Sequence, residues 1–196
     1  MFLSADHGGM NNAQFLLDRR IPAGDWNTKT AQKDLNEMLK AKYPSAGDLV
    51  KWVSNYQVFF DTQKIDSLSL DYNAIKQEVV NRLKKDKRVQ YACDMEKASI
   101  ESIPEEIKYR IINGYNRERS GGVQVILKPA YYSNGMKGTT HGAWNGYDTH
   151  IPLVFMGWGI QHGASTKPCY MTDIAPTVCA LLHIQAPNGC IGTPIF

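Results

Sequence analysis

Residues 71–93, DYNAIKQEVVNRLKKDKRVQYAC, decide the fold class of the middle of this sequence. Their apolar side chains first recur every three or four positions and then follow one another almost continuously. The first pattern predicts a helix over 71–84 with Asp71 as its N-cap, and the second predicts a strand over 89–93. The basic run at 84–88 suits a solvated helix C-terminus, and a nucleic-acid patch is the alternative interpretation.

The alternation of helix and strand continues on both sides of this stretch. Strands are predicted near 56–60 and over 123–128, and a short helix is predicted over 104–113. Residues 45–128 are therefore expected to form an α+β subdomain of the β-α-β-α-β type, with its helices on one face of a sheet. Upstream, an apolar stripe predicts a helix over 28–42, whereas residues 10–27 are predicted to be irregular.

The C-terminal part of the sequence has the order strand, glycine-rich turn, helix. A polar loop is predicted at 133–138, and a continuous apolar strand at 151–155 is expected to be buried on both faces. A helix capped by Thr172 is predicted over 173–182. This order is typical of an α/β fold, and residues 1–44 and 129–196 are expected to form one core into which residues 45–128 are inserted.

Charge and composition exclude several classes of protein. Lys and Arg number 22 and Asp and Glu number 19, which gives a formal net charge of +3. This excess is too small to favour a nucleic-acid polymer as partner. The longest apolar stretch, residues 151–160, is shorter than the roughly 20 residues of a membrane-spanning helix. The first residues also lack the basic and apolar segments of a signal peptide.

The four cysteines leave two interpretations open. None of them forms a Cys-x-x-Cys pair, so a structural zinc site of four thiolates is not expected. Cys179 lies on the apolar face of the predicted C-terminal helix and is expected in the core. Cys169 and Cys190 flank that helix, and they either form a disulfide in an oxidising compartment or remain partly buried thiols.

Asp6 and His7 combine residue types that bind metal ions. They follow an apolar strand predicted over 2–5 and precede two glycines, at the strand end where open α/β sheets bind their ligands. A carboxylate oxygen together with an imidazole nitrogen suits zinc. The alternative is a turn in which the carboxylate of Asp6 caps backbone amides.

A second candidate segment is the glycine-flanked loop Thr140-His141-Gly142. His141 is a candidate metal ligand, a candidate acid or base, or an ordinary loop histidine. Asp148 and His150 follow closely, either as a pair that orients a ligating histidine or as a local turn. The sequence contains no G-x-S-x-G nucleophile elbow, no phosphate-binding P-loop and no H-E-x-x-H motif.

Six motifs are spread over most of the sequence: FLSADHG at 2–8, NGYN at 113–116, RSGG at 119–122, TTHG at 139–142, YDTHIPL at 147–153 and TDIAPT at 172–177. In residues and order they resemble the alkaline phosphatase superfamily. The resemblance is strongest to its bacterial periplasmic phosphatase branch, of the type I phosphodiesterase/nucleotide pyrophosphatase kind. It implies an alkaline-phosphatase-like α/β core with residues 45–128 as an inserted α+β subdomain.

The resemblance also implies a two-zinc site for phosphoryl transfer. In this family the Asp and His of the Asp-His-Gly motif bind one zinc ion beside a Thr or Ser nucleophile, and these positions correspond to Asp6 and His7. The His of the Thr-x-His-Gly loop binds the other zinc ion and corresponds to His141. Two such cations stabilise the attacking and leaving oxygens when a phosphate ester is cleaved by in-line displacement.

By the same resemblance, the nucleophile and the remaining zinc ligands belong upstream of the Asp-His-Gly motif. The sequence is therefore expected to be the C-terminal portion of a periplasmic or secreted phosphomonoesterase or phosphodiesterase. It would have no catalytic residue of its own, bind zinc weakly or not at all, and be inactive alone. Unpaired sheet edges are expected to promote self-association. A non-catalytic binding module that keeps the fold and a sulfatase-like relative are the alternatives.

Overall fold

The computed structural model describes residues 1–133 and 135–196; Asn134, in the loop predicted at 133–138, lies outside the described residues. The chain divides into two compact units, which are described separately. The larger unit is Ala5–Ile151, and the smaller unit is Met1–Ser4 together with Pro152–Phe196. The predicted subdomain at 45–128 falls within the larger unit, and its boundaries remain a prediction.

The helices and strands are numbered here in chain order. The strands are β1 (Phe2–Ser4), β2 (Gly24–Asp25), β3 (Val50–Ser54), β4 (Gln57–Phe60), β5 (Val89–Asp94), β6 (Val123–Leu127), β7 (Tyr131–Tyr132) and β8 (Leu153–Phe155). The α-helices are α1 (Ala13–Leu17), α2 (Thr28–Lys42), α3 (Thr62–Ser67), α4 (Tyr72–Leu83), α5 (Glu105–Gly114), α6 (Gly146–Thr149) and α7 (Ile174–Leu182). Short 3₁₀ helices cover Met95–Ile100 and Met171–Asp173.

An antiparallel sheet in the order β3-β4-β6-β5 lies at the centre of the larger unit. Strands β3 and β4 form a hairpin whose turn residues, Asn55 and Tyr56, both have positive φ, as a type I′ turn requires. The sequence pattern predicted β4 but not β3. A register shift between Val50 and Trp52 interrupts the alternation of buried and exposed side chains in β3, so the period-2 signal is lost.

Helices cover both faces of this sheet. Helices α2 and α4 pack on the face that includes Val125 and Leu127 of β6 and form the main core. Helix α5 contributes Ile111 to a second cluster with Cys93 and Ile126, which lie on the opposite face because side chains alternate along a strand. The prediction that the helices lie on one face was therefore wrong.

Local capping sets the ends of the two main helices. Helix α2 spans the predicted residues 28–42, and the side chain of Asn27 accepts the N–H of Thr30 at its start. The carboxylate of Asp71 accepts the N–H groups of Asn73 and Ala74 and caps α4, as predicted. In contrast, the prediction that residues 10–27 are irregular was wrong, because α1 and β2 lie there.

The smaller unit is built on the antiparallel pair β1–β8, in which Leu3 lies opposite Val154. The prediction that residues 151–155 form a strand buried on both faces was wrong. The strand is limited to β8, and Val154 is 53% exposed. In the described part of the chain β8 has β1 as its only neighbour, so its apolar side chains are incompletely covered.

The N-terminus of α7 is organised by a carboxylate instead of the predicted Thr172. Thr172 lies inside the 3₁₀ turn, and Asp173 is the N-cap residue. One carboxylate oxygen of Asp173 accepts the N–H of Tyr170, and the other accepts the N–H of Thr193. This buried aspartate therefore joins the turn, the helix and the C-terminal segment.

The four cysteines are free thiols. Of the two interpretations for Cys169 and Cys190, the structure therefore shows the thiols and no disulfide, with Cys169 exposed and Cys190 partly buried. Cys179 is also only partly buried, so its predicted place in the core was wrong. Cys93 is the fully buried thiol, in the cluster between α5 and the sheet.

Candidate metal centre

Two loops of the larger unit meet at the candidate metal ligands. One runs from Asp6 towards α1, and the other lies between β7 and α6. His7 of the first loop and His141 of the second stack face to face, with ring centroids 3.8 Å apart and an angle of 13° between the ring planes. The structure therefore brings together two histidines that are 134 residues apart in the sequence.

Hydrogen bonds hold these loops together near the stacked rings. The hydroxyl of Thr139 donates to the carbonyl of Met10 (2.7 Å), and the N–H of Gly8 donates to the carbonyl of Asp148 (2.8 Å). The second bond needs a glycine, because a Cβ at position 8 would lie 2.1 Å from the carbonyl oxygen of Tyr147. Gly8 thus permits the close approach of the two backbones.

The hydrogen bond of His7 leaves one of its ring nitrogens free. Its Nδ1 lies 2.7 Å from the carbonyl oxygen of Gly8. A carbonyl oxygen can only accept, so Nδ1 carries the proton and the lone pair of Nε2 is available. Metal-ligating histidines are commonly oriented in this way by a carbonyl on the second nitrogen. The arrangement favours the metal-ligand interpretation of His7.

The two carboxylate oxygens of Asp6 make different contacts in the same turn. Its Oδ1 accepts the backbone N–H of His7 at 3.1 Å, which is the capping interaction of the alternative interpretation. Its Oδ2 lies 3.7 Å from Nε2 of His7. Zinc binds such oxygen and nitrogen atoms at about 2.0–2.2 Å, so two of its ligand atoms lie less than about 4.4 Å apart. The separation of Oδ2 and Nε2 therefore fits a shared ion.

The described residues nevertheless contain only part of a metal site. Nowhere in residues 1–133 and 135–196 do three or more His, Cys, Asp or Glu side chains form a group that could hold a metal ion. A catalytic zinc ion normally has three protein ligands. Of the three predicted ligands, Asp6 and His7 are assigned to one ion and His141 to the other, and this assignment remains a prediction.

Asp148 is oriented towards the loop of His141 and not towards His150. Its Oδ2 accepts the N–H of Ala143 at 2.5 Å, whereas the N–H of His150 donates to the carbonyl of Gly146 at the end of α6. The sequence had left open whether Asp148 and His150 act as a pair. In the described structure no hydrogen bond joins them, and Asp148 contacts the backbone of both loops.

The buried cysteine is not a nucleophile candidate. Burial raises the pKa of Cys93 to about 12, with smaller contributions from Glu101 and Asp94. At neutral pH this thiol is therefore fully protonated, and the thiolate is the reactive form. Cys93 is therefore not expected to act as a nucleophile.

Comparison with known proteins finds similar sequences but no matching family model. None of the known protein-family models matches the chain. It is 46% identical to a protein of Myroides odoratus named calcium-transporting ATPase, 45% identical to alkaline phosphatase PafA of Elizabethkingia meningoseptica, and 44% identical to alkaline phosphatase PhoV of Synechococcus elongatus. Each alignment covers all of this chain, but only 36%, 36% and 35% of these relatives.

The fold gives an independent comparison. The structure superposes on the crystal structure of wild-type alkaline phosphatase PafA with a TM-score of 0.91 and 45% sequence identity, over 99% of this chain and 37% of that one. The chain is homologous to a segment of the alkaline phosphatases. The resemblance to the alkaline phosphatase superfamily and the expected α/β fold are thereby confirmed, and the chain spans about a third of the relatives' length.

None of the helices that the structure describes is both long and apolar enough to cross a membrane.

Proposed function

We propose that this chain is the C-terminal portion of a zinc-dependent phosphomonoesterase or phosphodiesterase of the alkaline phosphatase superfamily. In this proposal it contributes three ligands to a two-zinc site, and the substrate is a phosphate ester. The observation that carries the proposal is the stacking of His7 on His141 beside the carboxylate of Asp6. The protein acts in the periplasm or is secreted.

The three residues have different roles in the proposed site. Asp6 and His7 hold one zinc ion through Oδ2 and Nε2, since Nδ1 of His7 donates to Gly8. His141 holds the second ion. When bound, the zinc ions would activate the nucleophile and stabilise charge on the transferring phosphoryl group. The hydrogen bonds between the two loops hold the three side chains near one another.

The 196 residues alone are proposed to be inactive. Two ligands for one ion and one for the other are too few for tight catalytic zinc binding. The missing ligands and the Thr or Ser nucleophile are proposed to come from the part of the relatives' length to which this chain does not align. Zinc binding by the chain alone is therefore weak or absent.

The names of the relatives agree on phosphoryl transfer and differ on the substrate. PafA and PhoV are named alkaline phosphatases, and the Myroides protein is named an ATPase. The structural match to PafA favours the phosphatase. A test of the substrate must therefore include ATP beside simple phosphate esters.

The proposal can be tested with a chimera in which this chain replaces the matching segment of PafA. With zinc, the chimera is expected to hydrolyse p-nitrophenyl phosphate or its diester. His141→Ala or Asp6→Asn should lower this turnover more than about 100-fold, because even the loss of an outer-shell partner of a metal ligand costs 10–100-fold. His162→Ala, which changes an exposed histidine of the smaller unit, is the matched control and should have no effect.

Each alternative has its own outcome in this assay. Turnover of ATP alone would replace the phosphomonoesterase with an ATPase, and turnover of a sulfate ester alone would indicate the sulfatase-like relative. A folded chimera that binds zinc and turns over nothing would support the binding module. Zinc-dependent turnover by the 196-residue chain itself, abolished by His141→Ala, would overturn the proposed inactivity.

A further inference from the structure

Asp148 is a buried carboxylate that is bonded to both loops of the candidate metal centre. Only 4% of the residue is exposed. Its carbonyl accepts the N–H of Gly8, the neighbour of His7, and its Oδ2 accepts the N–H of Ala143, two residues after His141. One residue of the short helix α6 thus links the backbones that present the two stacked histidines.

The other carboxylate oxygen of Asp148 has no donor. Oδ1 is buried and makes no hydrogen bond with any residue that the structure describes. Burying an oxygen of an ionised carboxylate without a donor is costly, and native proteins rarely leave such an atom unpaired. Oδ1 of Asp148 is therefore a free acceptor for any donor that reaches it.

His141 lacks the matching acceptor. Nδ1 of His7 is oriented by the carbonyl of Gly8, whereas the exposed ring of His141 stacks on the ring of His7 and makes no hydrogen bond with any residue that the structure describes. A ligating histidine normally donates its remaining ring N–H to a carboxylate or a carbonyl. The unpaired acceptor thus belongs to the helix that follows the loop of His141, seven residues further along the chain.

We propose that Asp148 is the positioning residue of His141. Its backbone carbonyl and Oδ2 clamp the two loops, and its Oδ1 accepts the ring N–H of His141 when the other ring nitrogen binds a metal ion. The proposal rests on the proposed function, in which His141 is a metal ligand. Asp148 itself contacts neither metal nor substrate.

Two substitutions separate the clamp from the acceptor. Asp148→Ala removes the acceptor Oδ1 and the side-chain half of the clamp, Oδ2, and keeps the backbone carbonyl that accepts from Gly8. In Asp148→Asn the amide oxygen still accepts the N–H of Ala143 and an NH₂ group replaces Oδ1. Asp173→Asn is the matched control, because Asp173 is also buried and also accepts backbone N–H groups, but it belongs to the smaller unit. Far-UV circular dichroism verifies that each variant is folded.

The clamp is tested in the metal-free 196-residue chain by NMR. Nuclear Overhauser contacts between the ring protons of His7 and His141 are expected in the wild type and in Asp173→Asn, and are expected to disappear in Asp148→Ala. Contacts that persist in a folded Asp148→Ala variant would overturn the clamp. Because no metal is present, this result does not depend on whether the proposed phosphatase function is correct.

The acceptor is tested in the chimera with PafA, to which the proposed function assigns the full set of zinc ligands, by titration with zinc and nitrogen-15 detection of the histidine rings. With zinc, the wild type is expected to show one fixed tautomer of His141 with a slowly exchanging ring N–H. Asp148→Asn should lose this signal, keep the tautomer of His7, and bind zinc 10–100-fold more weakly, while Asp173→Asn resembles the wild type. The same signal and affinity in Asp148→Asn would overturn the acceptor. A chimera with the wild-type segment whose histidines do not respond to saturating zinc would overturn both the acceptor and the ligand assignments of the proposed function.

Discussion

The Nζ atom of Lys76 lies 2.9 Å from Oδ2 of Asp94 inside the larger unit. Lys76, on α4, is fully buried, and Asp94 ends strand β5. Lys76 also donates to Glu96, which in turn accepts the hydroxyl of Tyr115 at 3.1 Å. The hydrogen bond from Lys76 holds the pKa of Glu96 below its ordinary value, so this carboxylate stays ionised. The network joins α4, the end of β5 and the segment after α5.

Breaking this buried ion pair is expected to destabilise the protein strongly. Lys76→Met removes the buried counter-charge of Asp94 and leaves it only the half-exposed Lys97, whose Nζ lies 3.9 Å from Oδ2. Loss of one partner of a buried ion pair costs about 3–5 kcal/mol. The free energy of unfolding in urea measures the effect. Lys33→Met is the control, because Lys33 forms only an exposed i,i+4 pair with Glu37, and it should change stability by less than about 0.5 kcal/mol. Equal effects of the two substitutions would contradict the prediction.

Gly8→Ala is expected to separate the two loops of the candidate metal centre. The added Cβ would meet the backbone of Tyr147 at 2.1 Å, so the hydrogen bond from Gly8 to Asp148 must break or the loops must move. Overpacking of this kind costs about 1–3 kcal/mol. Thermal unfolding and the contact between the rings of His7 and His141 are the measurements.

Gly9→Ala provides the control for this substitution. Nothing lies within 4 Å of a Cβ at position 9, and its φ does not require a glycine. The expected change in stability is within about 0.5 kcal/mol. If Gly9→Ala disturbs the stacked histidines as much as Gly8→Ala does, the close approach at Gly8 is not what holds the loops.

The stability contribution of Asp86 is expected to disappear in acid. Burial alone would raise the pKa of Asp86, but hydrogen bonds from Arg88 and Trp26 outweigh it and hold the pKa below the ordinary value of 3.8. Because the folded pKa lies below the unfolded one, the contribution is complete well above pH 4 and is lost as the pH falls through the folded pKa.

Asp86→Asn tests this pH dependence. At pH 7 it should lower the free energy of unfolding by about 1–2 kcal/mol, because hydrogen bonds to a charged group are lost. Below about pH 4 its difference from the wild type should shrink, since the wild-type carboxyl is then protonated. Glu106→Gln, in an exposed pair with Arg110, should have little effect at either pH. A difference for Asp86→Asn that is independent of pH would refute the argument.

The chain is expected to self-associate through the exposed apolar side chains of the smaller unit. Leu3 and Val154 lie opposite each other on β1 and β8 and are 57% and 53% exposed. Replacing both with Thr keeps the strand propensity but removes apolar surface, and association measured by light scattering should weaken at least about tenfold. A wild-type chain that remains strictly monomeric at high concentration would argue against the prediction.

The elements that could be predicted are those with local signals. The stripe of apolar residues and the cap at Asp71 located α4, and the run of β-branched residues located β6. Strand β3 could not be predicted because its register shift removes the alternation of buried and exposed side chains. The exposure of β8 could not be predicted because an apolar run does not show how many neighbouring strands it has. Burial depends on the partners of a strand, which lie elsewhere in the chain.

The sequence by itself determined which residue types are available for metal binding. Asp6, His7 and His141 could be predicted as ligands because their motifs are short and contiguous, and the comparisons support the same family. Only the tertiary structure decided that the two histidines stack, that the carbonyl of Gly8 orients His7, and that Asp148 is buried between their loops. These contacts depend on the approach of opposite ends of the larger unit, and each hydrogen bond among them has a backbone group as one partner. Backbone groups are the same at every position, so a sequence pattern does not show which of them will meet.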